Sequence, residues 1–255
     1  MELPINPFKQ ALRRGQPQLG LWMTLASHYG TEAVASAGFD WLLLDMEHSP
    51  NDYDDILRQL QVLSGYGSHA VVRPPWNDPL AFKRLLDIGA QTLLIPYVQN
   101  AQEAQAAVRA MRYPPRGIRG MSAVTRATRF GRVPDYAQRC EDELCLLVQV
   151  ETIDALGQIE AIAAVDGVDG IFIGPGDLAA SMGIAGQLKH PQLLDHIDKA
   201  IDRIVASGKA AGILTGDREL ARRFLQRGTT FTAVGVDAAL LARSADELVR
   251  AFGER

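Results

Sequence analysis

The feature that most constrains this chain is a regular alternation of short apolar runs with longer amphipathic stretches. Eight runs have the length and composition of β-strands, and several, such as Trp41-Leu42-Leu43-Leu44, are continuously apolar. Continuous apolar runs are typical of strands buried on both faces, as parallel strands are. The predicted strands are Leu19–Thr24, Trp41–Asp45, Ala70–Arg73, Thr92–Pro96, Leu144–Val150, Gly170–Ile173, Ala210–Leu214 and Phe231–Gly235.

A helical stretch follows each predicted strand. Between the fourth and fifth strands the helix is followed by a long loop. Eight strand-then-helix units predict a (β/α)8 TIM barrel, one α/β domain over residues 1–255. A doubly wound open sheet is the alternative, but it usually has fewer units and an early glycine-rich phosphate motif. The predicted helices are Tyr29–Ala37, Asp52–Leu63, Pro79–Ile88, Ala101–Met111, Ile153–Ala163, Pro191–Ala206, Glu219–Arg227 and Asp237–Phe252.

Composition and charge narrow the class of protein. Only two cysteines, Cys140 and Cys145, exclude a disulfide framework and a thiolate zinc cluster. A formal net charge of −4 argues against nonspecific nucleic-acid binding. No apolar run approaches the about 20 residues that cross a bilayer, and the first residues lack a signal-peptide pattern. We therefore expect a cytoplasmic protein with no nucleic-acid or membrane partner.

The segment Arg112–Val133 has no predicted helix or strand and contains six arginines. A loop this long in a compact barrel is more often functional than idle. It is either a solvated basic surface or a rim or subunit contact that attracts an anionic substrate. The last predicted helix either closes the barrel or is exchanged between subunits.

Polar residues cluster where predicted strands end, and that end of a (β/α)8 barrel carries the active site. By contrast, none of the five lysines lies at a predicted strand end, which argues against a Schiff-base aldolase. The strand-end residues are Asp45, Glu47 and His48 after the second strand, Arg73 after the third, Gln149 and Glu151 at the fifth, and Gly174-Pro175-Gly176-Asp177 after the sixth.

Glu151 and Asp177 come from neighbouring strand ends, with Gln149 on the same side of its strand as Glu151. Oxygen donors of this kind can hold a hard divalent cation such as Mg²⁺ or Mn²⁺. Three alternatives need no metal. Asp177 could cap a short helix that begins near Leu178, either carboxylate could pair with an arginine, or the two could form a glycosidase-type acid/base pair.

His48 and Arg73 are the other candidates for chemistry. Histidine is the side chain whose ordinary pKa suits a general base near neutral pH, although a lone histidine is more often a packed or surface residue. Asp87, near the end of the third predicted helix, is a candidate partner for the His48 ring. Arg73 precedes two prolines and could stabilise negative charge on an oxygen, or could form an ion pair that braces the barrel.

Five segments resemble the HpcH/HpaI class II pyruvate aldolases, in one continuous order from Phe8 to Phe252. The resemblance implies a (β/α)8 barrel that forms a homohexamer, a dimer of trimers, with exchange of the C-terminal helix. The segments are residues 38–51, with Gly38-Phe39-Asp40-Trp41 and Asp45-Met46-Glu47-His48, then Val72-Arg73-Pro74, Arg112–Gly120, Val148–Thr152 and Gly170–Leu178.

The same resemblance implies a role for each candidate residue. His48 corresponds to the catalytic base, acting through a metal-bound water, and Asp87 to the residue that raises its basicity. Arg73 corresponds to the group that stabilises the transition state and contacts substrate. Asp45 and Glu47 are expected to position these catalytic side chains without contacting the substrate themselves. The remaining positions correspond to the ligands of Mg²⁺, Mn²⁺ or Co²⁺, Glu151 and Asp177, and to the residues that contact pyruvate, Gln149, Gly176 and Asp177.

The implied activity is cleavage of a 4-hydroxy-2-oxo acid, by retro-aldol chemistry through a metal-stabilised enolate, to an aldehyde and pyruvate or an analogue such as hydroxypyruvate. A citryl- or malyl-CoA-lyase-like barrel and a non-enzymatic effector-binding barrel are the alternatives. The chain departs from close relatives at Met46, where they usually carry glycine, and at Gly176, where they carry alanine or serine. The segment Leu214–Asp217 also differs.

Overall fold

Eight parallel strands close a barrel in the computed structural model, which describes residues 1–253. Each strand pairs with the next in chain order, and the last strand pairs with the first, where Gln18 is opposite Phe231. The predicted fold class is confirmed; the last two residues of the predicted domain, Glu254 and Arg255, lie outside the described residues. The strands are β1 Gln18–Met23, β2 Trp41–Asp45, β3 His69–Arg73, β4 Thr92–Ile95, β5 Cys145–Val150, β6 Gly170–Ile173, β7 Ala210–Leu214 and β8 Thr229–Val236.

Helices connect the strands and cover the outside of the barrel. Two helices were not predicted, Pro7–Arg13 and Tyr136–Glu143. The predicted helix Ile153–Ala163 is wrong, because the chain forms two short helices there, separated by Gly157 and Gln158. Within residues 1–253 the helices are α1 Pro7–Arg13, α2 His28–Ala35, α3 Tyr53–Leu63, α4 Pro79–Asp87, α5 Ala101–Met111, α6 Tyr136–Glu143, α7 Ile153–Leu156, α8 Ile159–Ala163, α9 Pro175–Ser181, α10 Pro191–Ala206, α11 Arg218–Arg227 and α12 Asp237–Phe252.

The continuously apolar strands serve two separate layers of core. On β2, Trp41 and Leu43 pack inside the barrel, while Leu42 and Leu44 pack between the barrel and its helices, and all four are fully buried. Successive side chains of a strand point to opposite faces, so both faces of each strand must be apolar. The helix-side layer is the larger of the two.

The helix α1 covers the end of the barrel where the strands begin. Phe8 of α1 stacks on His69 at 5.7 Å between ring centroids and contacts Trp41 edge-on at 5.9 Å. The Nζ of Lys9 donates to the backbone carbonyls of Glu141 and Leu144. Because this end is plugged, the opposite rim is the open mouth of the barrel.

The segment Arg112–Val133 crosses the plugged end, so it does not form the rim of this chain's own barrel mouth. Its arginines are not all solvated. Arg119 is fully buried against the ring of Tyr113, and Arg126 donates to the carbonyls of Ile88 and Leu60. Four apolar side chains of the segment are nevertheless more than half exposed; these are Ile118, Met121, Val124 and Phe130.

The helix α12 projects from the barrel. Every residue from Leu240 to Gly253 is exposed, on all sides of the helix. Five of them are large and apolar, namely Leu240, Leu241, Leu248, Val249 and Phe252. Among residues 1–253, no helix combines the length and the hydropathy that a transmembrane span requires.

Candidate active site

An ion pair between Arg73 and Asp45 lies at the centre of the rim. Arg73 ends β3 and Asp45 ends β2, and the two residues are opposite each other in the sheet. Arg73 Nε donates to Asp45 Oδ1 at 2.8 Å, and Nη2 donates to Oδ2 at 2.7 Å. Both side chains are almost completely buried. This two-pronged pairing fixes the plane of the guanidinium and leaves part of its hydrogen-bonding capacity for a ligand.

Trp22 on β1 contacts both members of this ion pair, and the sequence did not predict its role. Its Nε1 donates to Asp45 Oδ2 at 3.3 Å, and its ring centroid lies 5.0 Å from the guanidinium carbon of Arg73. A cation held against an indole face is stabilised by the negative face of the ring. In the sequence, Trp22 has the pattern of a core residue, because a strand position does not reveal that an indole N–H meets a carboxylate.

Glu47 and His48 follow β2 and extend the rim. Arg73 Nη1 lies 2.7 Å from Glu47 Oε2, an ion pair whose geometry is not that of a hydrogen bond. Burial raises the pKa of the Glu47 carboxyl, while the positive charge of Arg73 opposes that rise. His48 Nε2 lies 3.9 Å from Glu47 Oε1, and 64% of the His48 side chain is exposed. The imidazole is therefore accessible from the barrel mouth.

The turn that carries His48 is held by side chains that bond to its backbone. Asn51 Nδ2 and Ser49 Oγ both donate to the carbonyl of Asp45. Gln59 of α3 in turn donates to Asn51 Oδ1 at 2.7 Å. These bonds fix the chain on both sides of His48.

Asp87 lies at the other end of the barrel. It is the last residue of α4, which runs back from the rim toward the start of β4. There Asp87 Oδ1 accepts a hydrogen bond from Arg119 Nη2 at 2.8 Å, and the carboxylate is 24% exposed. One chain does not bring Asp87 to His48.

Glu151 and Gln149 form a buried polar cluster at the end of β5. Gln149 Nε2 donates to Glu151 Oε2, and the backbone N–H of Tyr97 donates to Glu151 Oε1 at 2.9 Å. Burial raises the pKa of Glu151 to about 7; the hydrogen bond from Gln149 opposes the rise, and the negative charge of Asp177 adds to it. Gln149 Oε1 is buried without a hydrogen-bond partner. Tyr97 was also missed, because a backbone donor leaves no mark in the sequence.

Gly174 provides the space that Glu151 occupies. A Cβ at Gly174 would lie 2.3 Å from Glu151 Oε2 and 3.0 Å from Gln149 Nε2. Asp177 is exposed in the first turn of α9, but the N-cap residue of that helix is Gly174. The alternative in which Asp177 caps the helix is therefore wrong. Gly176 has open space where a Cβ would stand.

The oxygen donors at this part of the rim suit a hard divalent cation. The negative charges of Asp177 and Glu47 raise the pKa of Glu151, and the charge of Asp177 also raises the pKa of Glu47, so these carboxylates lie close together. The unpartnered Gln149 Oε1 adds a neutral oxygen. Within residues 1–253 no three acidic, histidine or cysteine side chains converge into a complete cage. Mg²⁺ is commonly held by one or two carboxylates, with water and substrate in the other positions. The residues present fit that arrangement.

The rim therefore unites most of the residues that the sequence singled out, and their roles remain predictions. The strand ends place together Asp45, Glu47, His48, Arg73, Gln149, Glu151, Gly176 and Asp177, while Asp87 stays at the plugged end.

Comparison with protein families gives one match over most of the chain. The family described as HpcH/HpaI aldolase/citrate lyase matches residues 18–244. A protein of Rhizobium etli named pyruvate aldolase is 59% identical over 252 residues, covering 99% of both chains. A protein of Escherichia coli named 4-hydroxy-2-oxo-heptane-1,7-dioate aldolase is 55% identical over 249 residues, covering 97% of this chain and 95% of its own length.

Solved structures agree with these sequence matches. A crystal structure of an HpcH/HpaI aldolase/citrate lyase family protein from Burkholderia cenocepacia J2315 is similar to this chain, with a TM-score of 0.93 and 38% identity. The similarity covers 97% of this chain and 99% of that one. An HpcH/HpaI aldolase from Desulfitobacterium hafniense DCB-2 has a TM-score of 0.89 and 30% identity, over 97% of this chain and 96% of its own.

Proposed function

We propose that this protein reversibly cleaves a 4-hydroxy-2-oxo acid into an aldehyde and pyruvate or hydroxypyruvate. The premise is that the chain belongs to the HpcH/HpaI aldolase/citrate lyase family and is a pyruvate aldolase. The observation that carries the proposal is the arrangement of the rim. A fixed guanidinium, Arg73, lies beside a group of oxygen donors formed by Gln149, Glu151 and Asp177.

Glu151 and Asp177 would hold the divalent cation, Mg²⁺, Mn²⁺ or Co²⁺. When bound, such a cation supplies Lewis-acid stabilisation of negative charge on the carboxylate and keto oxygens of the substrate. Gly174 matters to this site because only a residue without a Cβ leaves Glu151 in its place. The open space beside Gly176 leaves room for the carboxylate of the pyruvate half.

Arg73 stabilises the charge that develops when the bond between C3 and C4 breaks. Its guanidinium directs Nε and one N–H of Nη2 to Asp45, and Nη1 faces Glu47. Arginine carries five N–H donors, so at least one N–H remains for a substrate oxygen. Asp45 and Trp22 hold the guanidinium in place before the substrate binds, which is how a fixed charge lowers a barrier at small reorganisation cost.

His48 accepts the proton of the 4-hydroxyl group. Histidine is suited to proton transfer near neutral pH, and this imidazole is exposed at the rim beside Glu47. Loss of that proton starts the cleavage, the aldehyde departs, and C3 of the remaining pyruvate enolate is then protonated. The Glu47 carboxylate lies beside both His48 and Arg73, so its negative charge acts on both side chains.

We further propose that the enzyme is a homohexamer, a dimer of trimers, in which α12 is exchanged. From Leu240 onward the helix is exposed on all sides, and burial of its five large apolar residues would favour a second copy. Asp87 of a partner subunit would then meet His48, since the carboxylate faces solvent at 24% exposure and lies far from His48 of its own chain.

The test is pyruvate release from a panel of 4-hydroxy-2-oxo acids, measured before and after treatment with EDTA and after addition of Mg²⁺, Mn²⁺ or Co²⁺. We expect release from at least one member, loss on chelation and recovery with metal. Undiminished release after verified metal removal would refute the metal site. A requirement for a coenzyme A thioester would instead support the citryl- or malyl-CoA-lyase-like alternative.

A further inference from the structure

Two exposed aromatic side chains stack on each other at the open rim. Trp76 lies in the loop after β3, three residues beyond Arg73, and Tyr97 lies two residues beyond the end of β4. Their ring centroids are 5.7 Å apart and their planes are inclined by 28°. Trp76 is 55% exposed and Tyr97 is 41% exposed. Aromatic surface left in water beside a reactive site is available to bind apolar parts of a ligand.

The backbone holds Tyr97 in a conformation that non-glycine residues rarely adopt. Its φ is 55°, in the left-handed region, which disfavours a residue with a Cβ. Two bonds to β5 and its end maintain this conformation: Tyr97 N–H donates to Glu151 at 2.9 Å, and the next amide, of Val98, donates to the carbonyl of Gln149 at 3.0 Å. The ring is therefore positioned relative to the same carboxylate that the proposed cation would use.

Two amide side chains beside the rings are already hydrogen-bonded. Gln99 accepts a hydrogen bond from Thr152 at 2.7 Å, and Asn77 donates to the carbonyl of Glu103 at 3.2 Å. The two loops, residues 74–78 and 96–100, are fully described and contain neither arginine nor lysine. The two loops therefore offer aromatic surface to a substrate, but no positively charged side chain that would pair with a carboxylate at the far end of the aldehyde.

We propose that Trp76 and Tyr97 form an aromatic shelf, which binds the aldehyde half of the substrate and favours an aldehyde with a planar aromatic ring over a short polar or carboxylated one. The inference rests on the proposed function, because the proposed roles of Glu151 and Arg73 determine where the pyruvate half of the substrate lies and hence where the aldehyde half begins. A ring attached at C4 would lie on the exposed faces of the shelf as the C3–C4 bond is cleaved or formed.

The experiment measures aldol addition of pyruvate to benzaldehyde, to propanal and to succinic semialdehyde with added Mg²⁺ or Mn²⁺. The readout is the ratio of kcat/KM for benzaldehyde to that for propanal, in Trp76→Ala, Tyr97→Ala and Trp76→Phe variants. Loss of one stacking partner should lower this ratio about threefold to tenfold, mainly through KM, and Trp76→Phe should keep most of it. Tyr66→Ala is the matched control, since Tyr66 is an exposed aromatic residue before β3, at the other end of the barrel.

Proton exchange at C3 of pyruvate, followed by NMR in D2O with the unmodified enzyme and no aldehyde, tests the proposed function separately. If exchange occurs and both alanine variants keep the unmodified ratio, the shelf is refuted. If the alanine variants lose activity equally toward all three aldehydes and sediment as smaller assemblies, the rings belong to a subunit contact and the shelf is also refuted. Preference of the unmodified enzyme for succinic semialdehyde over benzaldehyde would likewise overturn it.

Discussion

Replacement of Arg73 by alanine should affect stability and turnover for two separable reasons. The change leaves Asp45, 1% exposed, without the cation that satisfies both of its oxygens. Breaking a buried ion pair by removal of one partner typically costs about 3 to 5 kcal/mol. Asp45 keeps hydrogen bonds from Trp22 Nε1 and from the backbone N–H of Glu47. We therefore expect the lower end of that range, about 3 kcal/mol of the free energy of unfolding.

The same variant should lose turnover through loss of transition-state stabilisation. Removal of one preorganised donor of this kind typically lowers kcat by a factor of about 10² to 10³. The double variant Asp45→Asn with Arg73→Ala separates the two effects, because a neutral amide no longer needs a buried cation. It should regain much of the lost stability and none of the lost turnover.

Urea unfolding at a fixed protein concentration measures the first effect, and pyruvate release under saturating metal measures the second. A fixed concentration is needed because assembly contributes to the stability of an oligomer. Near-normal kcat in the Arg73→Ala variant would refute the catalytic role. Unchanged stability in that variant, or no recovery in the double variant, would refute the assignment of Asp45 and Arg73 as a coupled buried pair.

Three further outcomes are expected. Glu151→Gln should weaken binding of Mn²⁺ at least tenfold, measured by calorimetry, since it removes a charged ligand; unchanged affinity would contradict the site. Gly174→Ala should weaken the same binding by forcing Glu151 to move, because its Cβ would lie 2.3 Å from Oε2, whereas Gly67→Ala, with open space around it, should not. Burial lowers the pKa of His69 from 6.5 to about 4, so the unfolded chain takes up a proton there that the folded chain does not. The free energy of unfolding should consequently fall as the pH drops from 6.5 to 4. The fall should be at most about 3 kcal/mol, because the His69 side chain retains partial exposure beside a cavity. Urea titrations at each pH measure this dependence, which His69→Asn should flatten.

The sequence located the strands well because their signal is local. Burial of both faces requires runs such as Leu42–Leu44, and the observed strand ends lie within two residues of the predicted ones. The helix predicted at Ile153–Ala163 failed because its apolar spacing continues across Gly157, where the backbone ends one helix and begins another. The helix α1 was missed because its seven residues, about two turns with a proline start, give almost no periodic signal.

The candidate site was predictable in so far as topology alone assembles it. The ends of parallel strands in a closed barrel meet on one rim, so Asp45, Arg73 and Glu151 had to converge once eight units were counted. Asp87 shows the limit of that reasoning. A helix returns the chain to the opposite end, and its last residue therefore cannot reach His48 of the same barrel.

The sequence by itself determined the barrel, the family resemblance and the charged groups at the strand ends, because these follow from local patterns and from chain order. Only the tertiary structure decided how the groups meet. It set the Trp22 indole against Arg73, aimed the Tyr97 amide at Glu151, and placed Gly174 where a Cβ would collide with that carboxylate. Each of these contacts joins residues of different strands or loops, so their distances and angles exist only after the barrel has closed.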